Sequence, residues 1–251
     1  MLPIADQNEP GAGPPFVTWA LIALNVVVFF LLQGAGANET FTYGYSAVPA
    51  EITTGTDITT PTDITVNGQT EQIPQEPGPT PIWLTLFSSM FMHGGLLHLG
   101  GNMLFLWIFG DNVEHRIGRL RYLLFYLVAG VIASFAQVLV DPGSTIPSLG
   151  ASGAISGVLG AYLVLFPGNR VTVFLFRFLT QVPAIVAIGM WAAFQFISGF
   201  GSVAGTDEAG GVAYMAHIGG FVAGVVAGLI VRALFPGGPA AAPPATRSAW
   251  G

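Results

Sequence analysis

Residues Ser148–Gly168 read "SLGASGAISGVLGAYLVLFPG". A serine set between glycines heads a long apolar run that ends at Pro-Gly. The run has no charged residue, and its small residues recur at helical spacing. Such a segment is expected as a helix in an apolar surrounding, where small residues let neighbouring helices approach closely. Ser152 then stands at the head of that helix, either as a packing residue or as a chemical group.

The rest of the chain has the same character. Of 251 residues, 52% are hydrophobic and only 8% are charged, and the mean hydropathy is +0.67. A soluble domain carries about a quarter charged residues, so the expected class is all-α, a polytopic membrane protein. There is no cysteine, which excludes disulfides and thiolate metal sites. The net charge is −6, and no basic patch suits nucleic acid.

Crossing a bilayer takes about 20 mostly apolar residues. Six stretches qualify: Phe16–Leu32, Leu96–Val113, Leu120–Val140, Leu149–Phe166, Val182–Phe200 and Val212–Phe235. The expected organisation is a six-helix domain over residues 16–235, with a long loop over 33–92. Two unstructured tails are expected, over 1–15 and 236–251. The N-terminus carries acidic residues where a signal peptide has basic ones. The apolar stretch "PIWLTLFSSMFM" before His93 is short and is expected to lie in the membrane interface.

All seven basic residues are arginines, at 116, 119, 121, 170, 177, 232 and 247. They follow the second, fourth and sixth stretches. The positive-inside rule makes those ends cytoplasmic, along with both termini. The long loop carries acidic residues and no arginine, and faces outward.

On this topology three segments bring polar groups to one depth near the outer face. The second stretch is entered through "MHGGLLHLGGNM", with His93, His98 and Asn102. The fourth begins with Ser152, and the sixth with His217 in "MAHIGGFVAGVVAG". Ionisable groups inside a membrane are functional hypotheses by default. Serine needs an adjacent base to act as a nucleophile, and histidine is the usual one. Ser152 and His217 are the candidate pair.

An oxyanion would need preorganised donors. His98 and Asn102 are four apart and share a helix face. The backbone N–H of Ser152 adds a donor at a helix start, and Gly150 and Gly153 would let a substrate backbone come close. No carboxylate has a spacing that makes it a third member. Asp111 and Glu114 lie towards the inner end of the second stretch, and Asp141, Asp207 and Glu208 lie in outer loops. His115 falls in the arginine-rich loop and is expected to be solvated.

Blander readings stand beside these. Gly153, Gly157 and Gly160, like Gly220, Gly224 and Gly228, suit close helix packing. A lone serine often bonds back to its own helix. A metal site from His93, His98 and His217 is conceivable, but the first two are five apart, a poor helical ligand spacing. No metal and no cofactor are expected.

The combination resembles the rhomboid family of intramembrane serine proteases. The resemblance rests on "HGGLLHLGGN", "GASG" and "AHIGGFVAG", in that order, with "GDNVEHRIG" after the second stretch. It covers the six-helix core. It implies an endopeptidase that cuts single-span membrane proteins near their outer end. In that reading Ser152 is the nucleophile and His217 the base, with His98 and Asn102 in the oxyanion hole. His93 has a supporting place, Gly220 and Gly224 let the sixth helix pack on the fourth, and Glu114 is structural.

Two departures are visible. Trp83 lacks the arginine that often follows it in the family, and Ser156 occupies a position that is often aromatic and stacks on the catalytic histidine. The ring of His217 must then be held another way. Pro183 is expected to loosen the fifth helix, and the glycine-rich segment 198–214 to cap the site, so that both move to admit substrate. The competing classes are an inactive relative that binds membrane clients and a transporter with a polar path. The first would lack Ser152 or His217, and the second would need ionisable groups through the whole depth. The oligomeric state is open.

Overall fold

Glycines set how closely the helices of this chain approach. The computed structural model describes residues 2–8, 13–66, 69–175, 177–204 and 213–236. In chain order the elements are β1 (Leu2–Asp6), α1 (Phe16–Val27, continued by a wide turn over Val28–Leu32), α2 (Glu39–Gly44) and α3 (Pro49–Thr54). Next come β2 (Thr62–Val66), β3 (Gln69–Ile73), α4 (Thr85–Ser88), α5 (Leu96–Ile117) and α6 (Arg119–Val140). The chain continues through α7 (Ser152–Leu165), β4 (Arg170–Leu175), β5 (Phe178–Pro183), α8 (Ala184–Ala204) and α9 (Tyr214–Leu234).

Helix α7 is the centre of the bundle. Every residue from Gly153 to Tyr162 is buried, which only small residues alternating with aliphatic ones permit among closely packed neighbours. The contact with α9 is backbone to backbone. A Cβ at Gly220 would fall 2.1 Å from the carbonyl oxygen of Gly153, and one at Gly224 would fall 1.9 Å from that of Gly157. No side chain fits either place.

All six expected stretches contain a helix. Helices α6 and α9 are long and apolar enough to cross a membrane alone, with mean hydropathies of 2.3 and 1.9. The apolar turns Ile82–Phe91 join α5 as a pair bent by 78°. Phe16–Leu32, Ser152–Leu165 and Ala184–Gly199 are apolar but shorter. Helix α7, at 14 residues, is about 21 Å long, less than the ~30 Å hydrocarbon core.

The fold is mostly helical, yet two small sheets correct the all-α expectation. One has the order β1-β4-β5 and the other is the β2-β3 hairpin. The N-terminal residues expected as an unstructured tail include β1, which pairs antiparallel with β4. Side chains of the bundle hold this segment. Asp6 accepts hydrogen bonds from Tyr162 Oη (2.5 Å) and Asn112 Nδ2 (2.6 Å), and Asn8 donates to Asp111 (2.6 Å). These partners are dispersed along the chain, so no local pattern signals them.

Pro183 also departs from expectation. It closes β5 opposite Arg170, ahead of α8, so it does not loosen that helix. Of the expected cap, residues 205–212 lie outside the described residues, as do residues 237–251 of the C-terminal tail.

The long loop is a scaffold. Ala47 and Ser148 exchange backbone hydrogen bonds of 3.0 and 2.8 Å, Ala50 N donates to the Ser144 carbonyl (3.0 Å), and Gln75 donates to the Thr145 carbonyl (2.8 Å). The segment leading into α7 is thereby held from the side of the loop. Glu114, at the other end of the bundle, accepts from the backbone N–H groups of Val17 (3.0 Å) and Thr18 (2.8 Å) and from the Thr18 hydroxyl (2.8 Å). It satisfies the open amides at the start of α1. His115 contacts the Gly13 carbonyl at 2.6 Å.

Candidate active site

Ser152 is the first residue of α7, entered through Gly150 and Ala151. Gly150 has φ +134°, a conformation that side chains disfavour, and its N–H donates to the Ser89 carbonyl at 2.9 Å. That bend directs Ser152 towards α9. His217 lies in the first turn of α9. The close α7–α9 approach brings Ser152 Oγ and His217 Nε2 to 2.7 Å.

The other face of the imidazole meets α8. Nδ1 of His217 lies 2.8 Å from Gln195 Oε1, and the Trp191 ring centroid lies 6.2 Å from that of His217. Gln195 and Trp191 are four residues apart, on one face of α8. Ser156 is directed elsewhere, its hydroxyl donating to the Ser152 carbonyl at 2.6 Å.

His98 stands beside Gly150, next to the serine. A Cβ at Gly150 would lie 2.9 Å from His98 Cε1 and 3.5 Å from Ser152 Oγ, so the ring and the hydroxyl flank the same glycine. The Gly94 N–H donates to His98 Nδ1 at 3.3 Å. In the neutral ring the proton therefore sits on Nε2, the nitrogen nearer Gly150. Asn102 donates to the carbonyl of His98, one turn back, at 3.0 Å, and its amide carries a second N–H. His93 is fully buried, edge-on to His98 with ring centroids 5.1 Å apart. Gln33 fixes its backbone, accepting from His93 N (2.9 Å) and donating to His93 O (3.1 Å).

Ser152, His217, His98, Gly150 and Gly153 thus converge on one end of the bundle, with Asn102 and His93 beside them. The arrangement has the parts of nucleophilic catalysis: a hydroxyl against an imidazole nitrogen, N–H donors nearby, and a helix start. Among the described residues, no group of three or more His, Cys, Asp or Glu is placed to hold a metal ion. A cavity of about 230 Å³ lies at the arginine end, lined by residues such as Arg116, Arg121 and Phe235. None of its lining residues belongs to this cluster.

The rhomboid domain family model matches residues 81–234. The chain belongs to the rhomboid family. Rhomboid protease GluP of Bacillus subtilis (strain 168) is 34% identical over 217 residues, which cover 86% of this chain and 34% of the relative. The mitochondrial Rhomboid protein 1 of Saccharomyces cerevisiae is 32% identical over 149 residues, 58% of this chain and 41% of the relative. The human mitochondrial presenilin-associated rhomboid-like protein is 32% identical over 147 residues, 55% and 35% of the two chains. The chain thus spans about a third to two fifths of the length of these relatives.

Within this rhomboid, sequence reasoning missed Gln33, Gln195 and Trp191 as parts of the site. A polar residue ending an apolar run is a weak signal, and a tryptophan in an apolar helix is none. Gln195 is an amide inside an otherwise apolar run, but its partner lies on another helix and leaves no mark in the sequence.

Proposed function

We propose that this rhomboid is an intramembrane serine endopeptidase that cleaves single-span membrane proteins. The observation that supports it best is the 2.7 Å contact between Ser152 Oγ and His217 Nε2, made by residues from two different helices. In this reading the six helical stretches lie in a bilayer, with the arginine end cytoplasmic and the serine end towards the outer face. The shortness of α7 then sets Ser152 below the membrane surface, and water reaches it from outside.

His217 Nε2 takes the proton of Ser152 as Oγ attacks the scissile carbonyl. The resulting oxyanion is met by the backbone N–H of Ser152, by His98 Nε2–H and by the second amide N–H of Asn102 once substrate draws it inward. His217 passes the proton to the leaving amine, which leaves an acyl-enzyme. Water, deprotonated by the same nitrogen, releases the acid product. A substrate helix unwinds first, because its carbonyls are hydrogen-bonded and covered. Helix α8 moves aside to admit it and closes back on His217 before Ser152 attacks.

The test is cleavage of a fluorescent single-span substrate by purified protein in proteoliposomes. Wild type should cut, and Ser152→Ala and His217→Ala should lose at least about 10³-fold in rate while melting as wild type does. Cleavage by Ser152→Ala at the wild-type rate would overturn the reading. A membrane-client binder without activity would bind the substrate and leave it intact.

A further inference from the structure

We infer that Gln195 is a positioning residue for His217, its side-chain oxygen holding the ring proton on Nδ1 and keeping Nε2 open to Ser152. The inference rests on the reading of Ser152 and His217 as nucleophile and base. A neutral imidazole has two tautomers, and only the one protonated on Nδ1 can accept the serine proton at Nε2. Gln195 Oε1 lies 2.8 Å from Nδ1 and can only accept there. The tautomer follows from that contact.

Packing alone does not explain the residue. Gln195 is 8% exposed on a helix that is otherwise almost wholly apolar, with Phe194 and Ile197 exposed beside it. Burying an amide without a hydrogen-bond partner costs about 1–3 kcal/mol, so a filler at this site would be leucine or methionine. The chain instead turns an acceptor inward onto the one nitrogen that must be protonated. Trp191, one turn earlier on α8, lies 6.2 Å from the His217 ring and 6.0 Å from Phe221, and restricts the plane of the imidazole. Helix α8 thereby supplies the hold that Ser156 does not.

An amide orients the ring without adding charge. The imidazolium formed during attack therefore has no paired anion on Nδ1, unlike in a triad with a carboxylate. Exchanging the amide for a carboxylate should consequently raise the pH at which the base becomes protonated.

The experiment is fluorophosphonate labelling of the full-length protein in detergent from pH 5 to pH 9, with the labelled residue identified by mass spectrometry. The variants are Ser152→Ala, Gln195→Leu and Gln195→Glu, and substrate kinetics run alongside. Wild type labelled at Ser152, with Ser152→Ala silent, supports the nucleophile; no labelling of wild type would overturn that reading, and the inference with it. Given a labelled wild type, Gln195→Leu should react at least about 10-fold more slowly, with KM unchanged and the same melting temperature. Gln195→Glu should recover most of the rate and move the acid limb of the profile up by about one pH unit or more. A Gln195→Leu protein that labels at the wild-type rate would overturn the inference. If that variant does not fold, an unshifted acid limb in Gln195→Glu overturns it.

Discussion

Helices α7 and α8 both serve His217, and they are built in opposite ways. Helix α7 is buried from Gly153 to Tyr162 and meets α9 through glycines that a methyl group would push apart. Helix α8 is apolar yet exposes Ile185, Met190, Phe194 and Ile197. The distance from Ser152 to His217 is therefore set by two backbones in contact. The orientation of the His217 ring is set by side chains from a helix with a far lighter hold on the bundle. Close backbone packing lies where Ser152 meets His217, and exposed apolar side chains lie on the helix that orients the ring.

The largest effect should come from breaking the seam itself. Gly224→Val puts a branched side chain where even Cβ would be 1.9 Å from the Gly157 carbonyl oxygen, and backbone cannot yield cheaply. The expected outcome is a loss of about 3 kcal/mol or more in stability together with loss of Ser152 labelling, read by thermal melting and by a fluorophosphonate. An unchanged melting temperature would mean that the seam is not tight.

Gly150→Ala tests the entrance to α7. The new methyl would meet the His98 ring at 2.9 Å, on a backbone with φ +134°. A penalty of about 1–3 kcal/mol is expected, with labelling slowed about tenfold or more. Equal labelling in wild type and variant would detach Gly150 from the site.

The arginine end of α7 carries a titrating anchor. Burial pushes the Asp6 carboxyl up from 3.8 to about 7; hydrogen bonds from Tyr162 and Asn112 oppose the rise and the neighbouring Asp111 charge adds to it. The folded protein keeps a proton there that the unfolded chain has released above about pH 4. The contribution of Asp6 to stability is thus full below about pH 4 and is lost as pH rises to about 7. Asp6→Asn should remove this component, so the wild-type melting temperature should fall more between pH 5 and pH 8 than that of the variant. Glu51, held at about 7 by burial, adds the same sign in both proteins and drops out of the comparison. Parallel curves would sink the assignment.

The smallest effect is expected on α8. Gly189 has nothing within 4 Å of an added Cβ, so Gly189→Ala should leave stability unchanged or raise it by up to about 1 kcal/mol through helix propensity. A loss as large as that of Gly224→Val would show α8 to be packed as firmly as α7, and the contrast would fail.

By itself the sequence determined the membrane-like composition, the six helical stretches, and the placement of Ser152, His217 and His98 at one end. These follow from local rules: apolar length, arginine bias, and small residues at four-residue spacing. The family resemblance was legible in the same motifs, and the family model match bears it out. The sequence also left a gap at Ser156, where nothing nearby in the chain said what would hold the ring of His217. Only tertiary structure supplied Gln195 and Trp191, because their partner lies on another helix and a side chain's direction depends on how helices are rotated against each other. The same holds for β1 on β4, for Asp6 under Tyr162, and for the long loop that pins Ser148. Each is a hydrogen bond between distant segments, and such bonds leave no period in the sequence.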